Sequence, residues 1–135
     1  MTYHRGTETI LLVDDEDSLR IVVVDLLRQL GYQVLSAASG KEALALSEEH
    51  SGKIDLLVTD VIMDELPGPE LAEILLAARP DMKVIFISGY AEGSLAPDGV
   101  LKPGTILVQK PFTIKILSAK LREVLDRARR SDPAV

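Results

Sequence analysis

No cysteine occurs in the chain. That excludes disulfides, thiolate metal sites and cysteine nucleophiles, and it suits a reducing compartment. Aromatic residues are scarce at 4%, while hydrophobic residues make up 47%, so any core must be built from Val, Ile, Leu and Ala. Basic residues are outnumbered, 15 against 21 acids, for a net charge of −6. Nucleic-acid binders normally carry a basic surface, so direct contact with DNA or RNA is not expected. Long apolar runs are missing too: stretches such as VIFI (84–87) fall far short of a bilayer span. The opening MTYHRGTE has no apolar h-region of the kind a secretory signal needs. The expected location is cytoplasmic. A length of 135 residues fits one domain with a sizeable core.

What is present is an alternation of short β-rich runs with segments of helical period. TILLVD (9–14), YQVLSA (32–37), IDLLVTD (54–60), KVIFISG (83–89) and TILVQK (105–110) read as strands. Between and after them lie four helical segments. SLRIVVVDLLRQL (18–30) places Leu19, Val22, Val23, Leu26, Leu27 and Leu30 on one face, with Gly31 as a stop. Ser39 and Glu42 form an S-x-x-E capping box that opens a helix through about His50. After the turn at Pro67, Gly68 and Pro69, residues 70–79 are helical. Residues 113–130 form the last helix, with Ile114, Leu117, Leu121, Val124 and Leu125 on one face. AEGSLAPDGVLKPG (91–104) is rich in Gly and Pro, which predicts a shortened fourth helix followed by loop. The pattern is an α/β fold, (βα)5, with a doubly wound five-stranded parallel sheet covered on both faces. Residues 1–7 and 129–135 are expected to be flexible ends of a single domain over 8–128.

The stretch ILLVDDED (10–17) concentrates charge: a buried strand runs into Asp14, Asp15, Glu16 and Asp17. Two carboxylates ~4 Å apart repel by about 4 kcal/mol at the effective dielectric usual near a protein surface. In an open parallel sheet, ligands bind outside the carboxyl ends of the strands. Strand one ends in Asp14 and Asp15, strand three in Asp60, strand four in Ser88 and Gly89, and strand five in Lys110 and Pro111. Clustered carboxylates are tolerable around a hard divalent cation, and oxygen ligands without thiolate or imidazole favour Mg²⁺. A carboxylate nucleophile, a lysine and a hydroxyl are the parts that phosphoryl transfer to an aspartate requires. Taken singly, each has an ordinary structural reading: Asp14 and Asp15 as helix caps, Asp60 and Ser88 as turn residues, Lys110 as a surface lysine.

Taken together, these residues resemble the receiver domain of two-component response regulators, over roughly residues 8–128. The matching motifs are the acidic pair Asp14 and Asp15, Asp60 in DLLVTDVIMDELPG, the small Gly68 eight positions later, Ser88 in VIFISGY, and Lys110 in QKPF. The resemblance implies a flavodoxin-like receiver fold and a set of roles. Asp60 would accept a phosphoryl group from the phosphohistidine of a histidine kinase or phosphotransfer domain. Asp15 and Asp60 would ligate Mg²⁺ directly, Asp14 through water, and the backbone carbonyl of Ile62 would complete the protein ligands. Lys110 and Ser88 would hold the phosphoryl oxygens, Gly89 would leave room for the donor, and Lys110–Pro111 would be cis. The style of SGYAEGSL and of GVLKPGTILVQKPFTIKIL is most similar to receivers of hybrid sensor histidine kinases; a stand-alone single-domain regulator is the other form considered.

Three positions depart from that pattern. Asp64 stands where a proline is common, four residues after the acceptor. Leu107 replaces the switch aromatic three residues before the lysine, with Tyr90 as a possible substitute. The segment around Pro97 is short. These departures motivate an alternative reading, a degenerate receiver serving as a phosphorylation-independent scaffold. A haloacid-dehalogenase-like phosphohydrolase is less compatible: it needs a second Asp two residues after the nucleophile, and Ile62 occupies that position. A dinucleotide site is excluded by the lack of G-x-G-x-x-G after the first strand.

Overall fold

The computed structural model describes residues 5–89 and 106–131, with side chains through residue 127. The elements are β1 (Thr9–Val13), α1 (Asp17–Gln29), β2 (Gln33–Ala37), α2 (Gly40–Glu49), β3 (Leu56–Asp60), α3 (Gly68–Ala78), β4 (Lys83–Ser88), β5 (Ile106–Gln109) and α4 (Ile114–Ser131). The five strands form one parallel sheet in the order β2-β1-β3-β4-β5. Reversal of strand order at β1 places the open crevice of the doubly wound sheet between β1 and β3, at their carboxyl ends. The short helix expected within 91–104 lies outside the described residues.

Period-two alternation divides the strand residues between two cores. Ile10, Leu12, Val34, Leu56, Val58, Ile85, Ile87 and Val108 face α1 and α4, against Val23, Leu27, Leu117, Leu121 and Val124. Leu11, Val13, Ala37, Leu57 and Phe86 face α2 and α3, against Ala43, Leu71, Ala72 and Leu75. Because both faces are covered, the strands read as continuous apolar runs. The helix ends follow local chemistry: Ser39 Oγ accepts the Glu42 N–H at 3.1 Å, and Gly31, at φ 107°, ends the turn after α1. The buried face of α1 differs from the one that sequence period predicts. Val22 is exposed and Val24 is buried, because the buried arc of α1 is centred on Val23 and Leu27.

No basic residue occupies the last turn of α2. Arg79, at the end of α3, supplies the cation from outside. Its guanidinium donates to Ser47 Oγ, Ser47 O, His50 O and Gly52 O, each at 2.9 Å. These bonds satisfy carbonyls that a helix terminus leaves open and complement its dipole. Arg79→Ala is expected to cost about 2–3 kcal/mol, read by urea denaturation, because several charge-assisted bonds go at once. A loss below about 0.5 kcal/mol would mean that water replaces the guanidinium without penalty.

Candidate functional site

Register brings the strand ends level. Val13 pairs with Thr59, Asp60 with Ile87 and Ser88 with Gln109. Asp14, Asp60 and Lys110 therefore follow one another across β1, β3 and β5, and they continue the parity of Leu12, Val58 and Val108 on the α1 and α4 side. The strand ends are held by backbone bonds: Asp14 N–H to Ala37 O at 3.1 Å, Val61 N–H to Ile87 O at 3.0 Å, and Lys110 N–H to Ser88 O at 2.8 Å. The Lys110–Pro111 peptide is cis.

Asp14 and Asp60 are buried and Asp15 is exposed, and one carboxylate oxygen from each lies within 4.8 Å of the others. The turn after β1 is pinned from two sides. Glu16 N–H donates to Asp14 Oδ1 at 2.8 Å, and Arg20 Nη1 donates to Asp14 O at 2.7 Å while pairing with Asp17 at 2.8 Å. The Lys110 ammonium stands 3.3 Å from Asp60 Oδ1, 3.7 Å from Asp14 Oδ2 and 3.6 Å from Glu16 Oε1. Its approach to Asp60 is an ion pair; Asp60 Oδ1 and the buried Ser88 Oγ have no hydrogen-bond partner among the described residues.

Burial, followed by the neighbouring Asp14 carboxyl, pushes the Asp60 pKa up to about 8 against the opposing pull of Lys110. Burial alone would lower the Lys110 pKa, but Asp60, Asp14 and Glu16 outweigh it and raise it. The site therefore has more negative charge than one lysine balances. Its donors are oxygens, and a buried carboxylate oxygen has no hydrogen-bond partner among the described residues. This donor set fits a hard divalent cation.

The loop after Asp60 packs against its own strand. Gly68 N–H donates to Val61 O at 2.9 Å, and a Cβ at Gly68 would lie 2.0 Å from the Asp60 carbonyl oxygen. Glu65, beside the position where proline was expected, adopts φ 68°. Ile62 projects an exposed side chain. Leu107 is half-buried against the α2 and α3 core. The structure thus brings Asp14, Asp15, Asp60 and Lys110 together and places Ser88 at the neighbouring strand end. Sequence reasoning did not foresee that Glu16 reaches Lys110 or that Arg20 clamps the Asp14 carbonyl. Acids following the strand were the available signal for Glu16; a backbone acceptor left none for Arg20.

The family model for the response regulator receiver domain matches residues 10–122. The sensor kinase CckA of Brucella abortus (strain 2308) is 43% identical over 122 residues, covering 90% of this chain and 13% of the kinase. The receiver protein CpdR of the same organism is 33% identical over 116 residues, covering 86% of this chain and 95% of that protein. The chain thus spans a small part of the first relative and nearly all of the second. Among solved structures, a receiver domain from Clostridium thermocellum superposes with a TM-score of 0.80 at 29% identity, covering 91% of this chain and 98% of that one. The receiver domain of the hybrid histidine kinase CckA gives 0.73 at 39% identity, covering 87% and 98%. With a five-stranded sheet of receiver topology and carboxylates and a lysine meeting at its switch point, the chain belongs to the response regulator receiver domain family of two-component signalling.

Proposed function

We propose that Asp60 accepts a phosphoryl group from the phosphohistidine of a histidine kinase or phosphotransfer domain. The observation that carries this reading is the pair of buried oxygens, Asp60 Oδ1 and Ser88 Oγ, at the ends of adjacent strands, which have no hydrogen-bond partner among the described residues, with the Lys110 ammonium at 3.3 Å from the first. Buried polar atoms are nearly always satisfied, so such exceptions call for a ligand or a chemical role. An Asp60 carboxylate oxygen attacks phosphorus, an O–P bond forms, and the N–P bond breaks. The histidine nitrogen leaves with the electron pair and takes up a proton. Lys110 neutralises charge on the phosphoryl oxygens and Ser88 donates a hydrogen bond to one of them. Asp14, Asp15, Asp60 and the Ile62 carbonyl would hold Mg²⁺, whose charge offsets the clustered carboxylates. Water attack on the acyl phosphate would return Asp60 to its starting state, so no metabolite is turned over.

Phosphorylation would bias two conformations that a partner surface reads. With Leu107 in place of an aromatic, that bias would not run through rotation of a ring at this position. Such a module acts in the cytoplasm.

Intact-mass spectrometry after incubation with acetyl phosphate tests this reading. Wild type is expected to gain one phosphoryl group only when Mg²⁺ is present, and Asp60→Asn is expected to gain none. A folded wild type that gains nothing would support the scaffold reading. Undiminished labelling of the variant would move the acceptor to another residue.

A further inference from the structure

Among the described residues, Glu16 is the one acid in contact with Lys110 that the proposed transfer leaves without a role. Its carboxylate is largely exposed, whereas Asp14 and Asp60 are buried, so Glu16 approaches the ammonium from the solvent side of the site. Its backbone is fixed: the N–H is bonded to Asp14 Oδ1 at 2.8 Å and the carbonyl accepts the Arg20 N–H at 2.9 Å. The backbone from which the side chain leaves is therefore fixed at the mouth of the site. Of the three described carboxylates around Lys110, it is the one not placed at a strand end, and at 3.6 Å it is as close as Asp14.

We infer that Glu16 is a positioning residue that holds Lys110 at the mouth of the site and competes for it with the phosphoryl group. This rests on the reading of Asp60 as acceptor and Lys110 as its phosphoryl ligand. Before transfer, the ammonium is shared among three carboxylates. To serve the phosphoryl oxygens it must give up Glu16. Removing that carboxylate frees Lys110 for the incoming group, which speeds phosphorylation and prolongs the phosphorylated state. An exposed ion pair is worth at most about 1 kcal/mol, so the expected change is about two- to fivefold.

The test follows labelling by acetyl phosphate and Mg²⁺ in wild type, Glu16→Gln, Glu16→Asp, Lys110→Met and the Glu16→Gln/Lys110→Met double variant. Expected results are a faster rate and slower loss of label in Glu16→Gln, a rate near wild type in Glu16→Asp, and no effect of Glu16→Gln when Lys110 is Met. A purely structural role would not vanish with the lysine, and a general charge effect on an anionic donor would persist without it. Equal rates in wild type and Glu16→Gln, or the same acceleration in both lysine backgrounds, would overturn the inference. A wild type that takes no label would overturn the acceptor reading itself, and the role of Glu16 with it.

Discussion

Asp60→Asn is expected to stabilise the metal-free protein at pH 8 by about 2–4 kcal/mol, the largest gain any single substitution in this site should give. The cause is the charge excess around a buried carboxyl. Burial and the adjacent Asp14 raise the Asp60 pKa to about 8, whereas in the unfolded chain it titrates near 4. Between those values the folded state binds a proton that the unfolded state has released. Stability therefore falls as pH rises from about 4 and levels off above about 8. At 1.36 kcal/mol per pH unit the upper bound is about 5–6 kcal/mol, and relaxation and water entry reduce it to the range given. Asn keeps the shape and removes the charge, so the gap between the variant and wild type should be near zero at pH 4 and open steadily toward pH 8. For a chain of this length the gap corresponds to roughly 10 °C in Tm at pH 8. Thermal unfolding in a chelator at several pH values measures it. Parallel pH profiles for the two proteins would show that Asp60 ionises without penalty and that Lys110 balances the cluster alone.

That penalty was foreshadowed by ILLVDDED, and the reasons are physical. A sheet buried on both faces imposes uninterrupted apolar strands, so each strand was visible and so was the residue at which it stopped. Parallel strands align their carboxyl ends, so Asp14, Asp60, Ser88 and Lys110 could be placed along one edge from four separate stretches of chain. Side-chain reach was not legible in the same way. Arg79 bonds carbonyls 27 to 32 positions away, and a backbone acceptor leaves no residue type to recognise. Val22 and Val24 exchange places because helical period fixes a face only to within about one residue when valines run consecutively. The contact between Glu16 and Lys110 needs the β1–α1 turn and the end of β5 in three dimensions.

Gly68→Ala carries the largest expected loss, and it separates stability from chemistry. The added Cβ would lie 2.0 Å from the Asp60 carbonyl oxygen, 3.0 Å from its carbon and 3.2 Å from Val61 Cα. All three are backbone atoms, so no rotamer change relieves the clash. Either α3 shifts outward or the end of β3 moves. Both break the Gly68 N–H bond to Val61 O and disturb a segment whose neighbours, Asp60, Val61 and Met63, are buried. Overpacking against rigid backbone costs at least about 1–3 kcal/mol, and loss of a buried hydrogen bond adds about 1 kcal/mol, so a total near 3 kcal/mol is expected. The outcome for function depends on which element yields. If β3 moves, Asp60 is displaced from Lys110, and labelling by acetyl phosphate should fall at least tenfold in protein that is still folded. If α3 yields, denaturation shows the same stability loss while labelling stays near wild type. Urea denaturation paired with the labelling rate distinguishes the two cases. A variant as stable as wild type would contradict the close approach of α3 to β3 on which the geometry of the site depends.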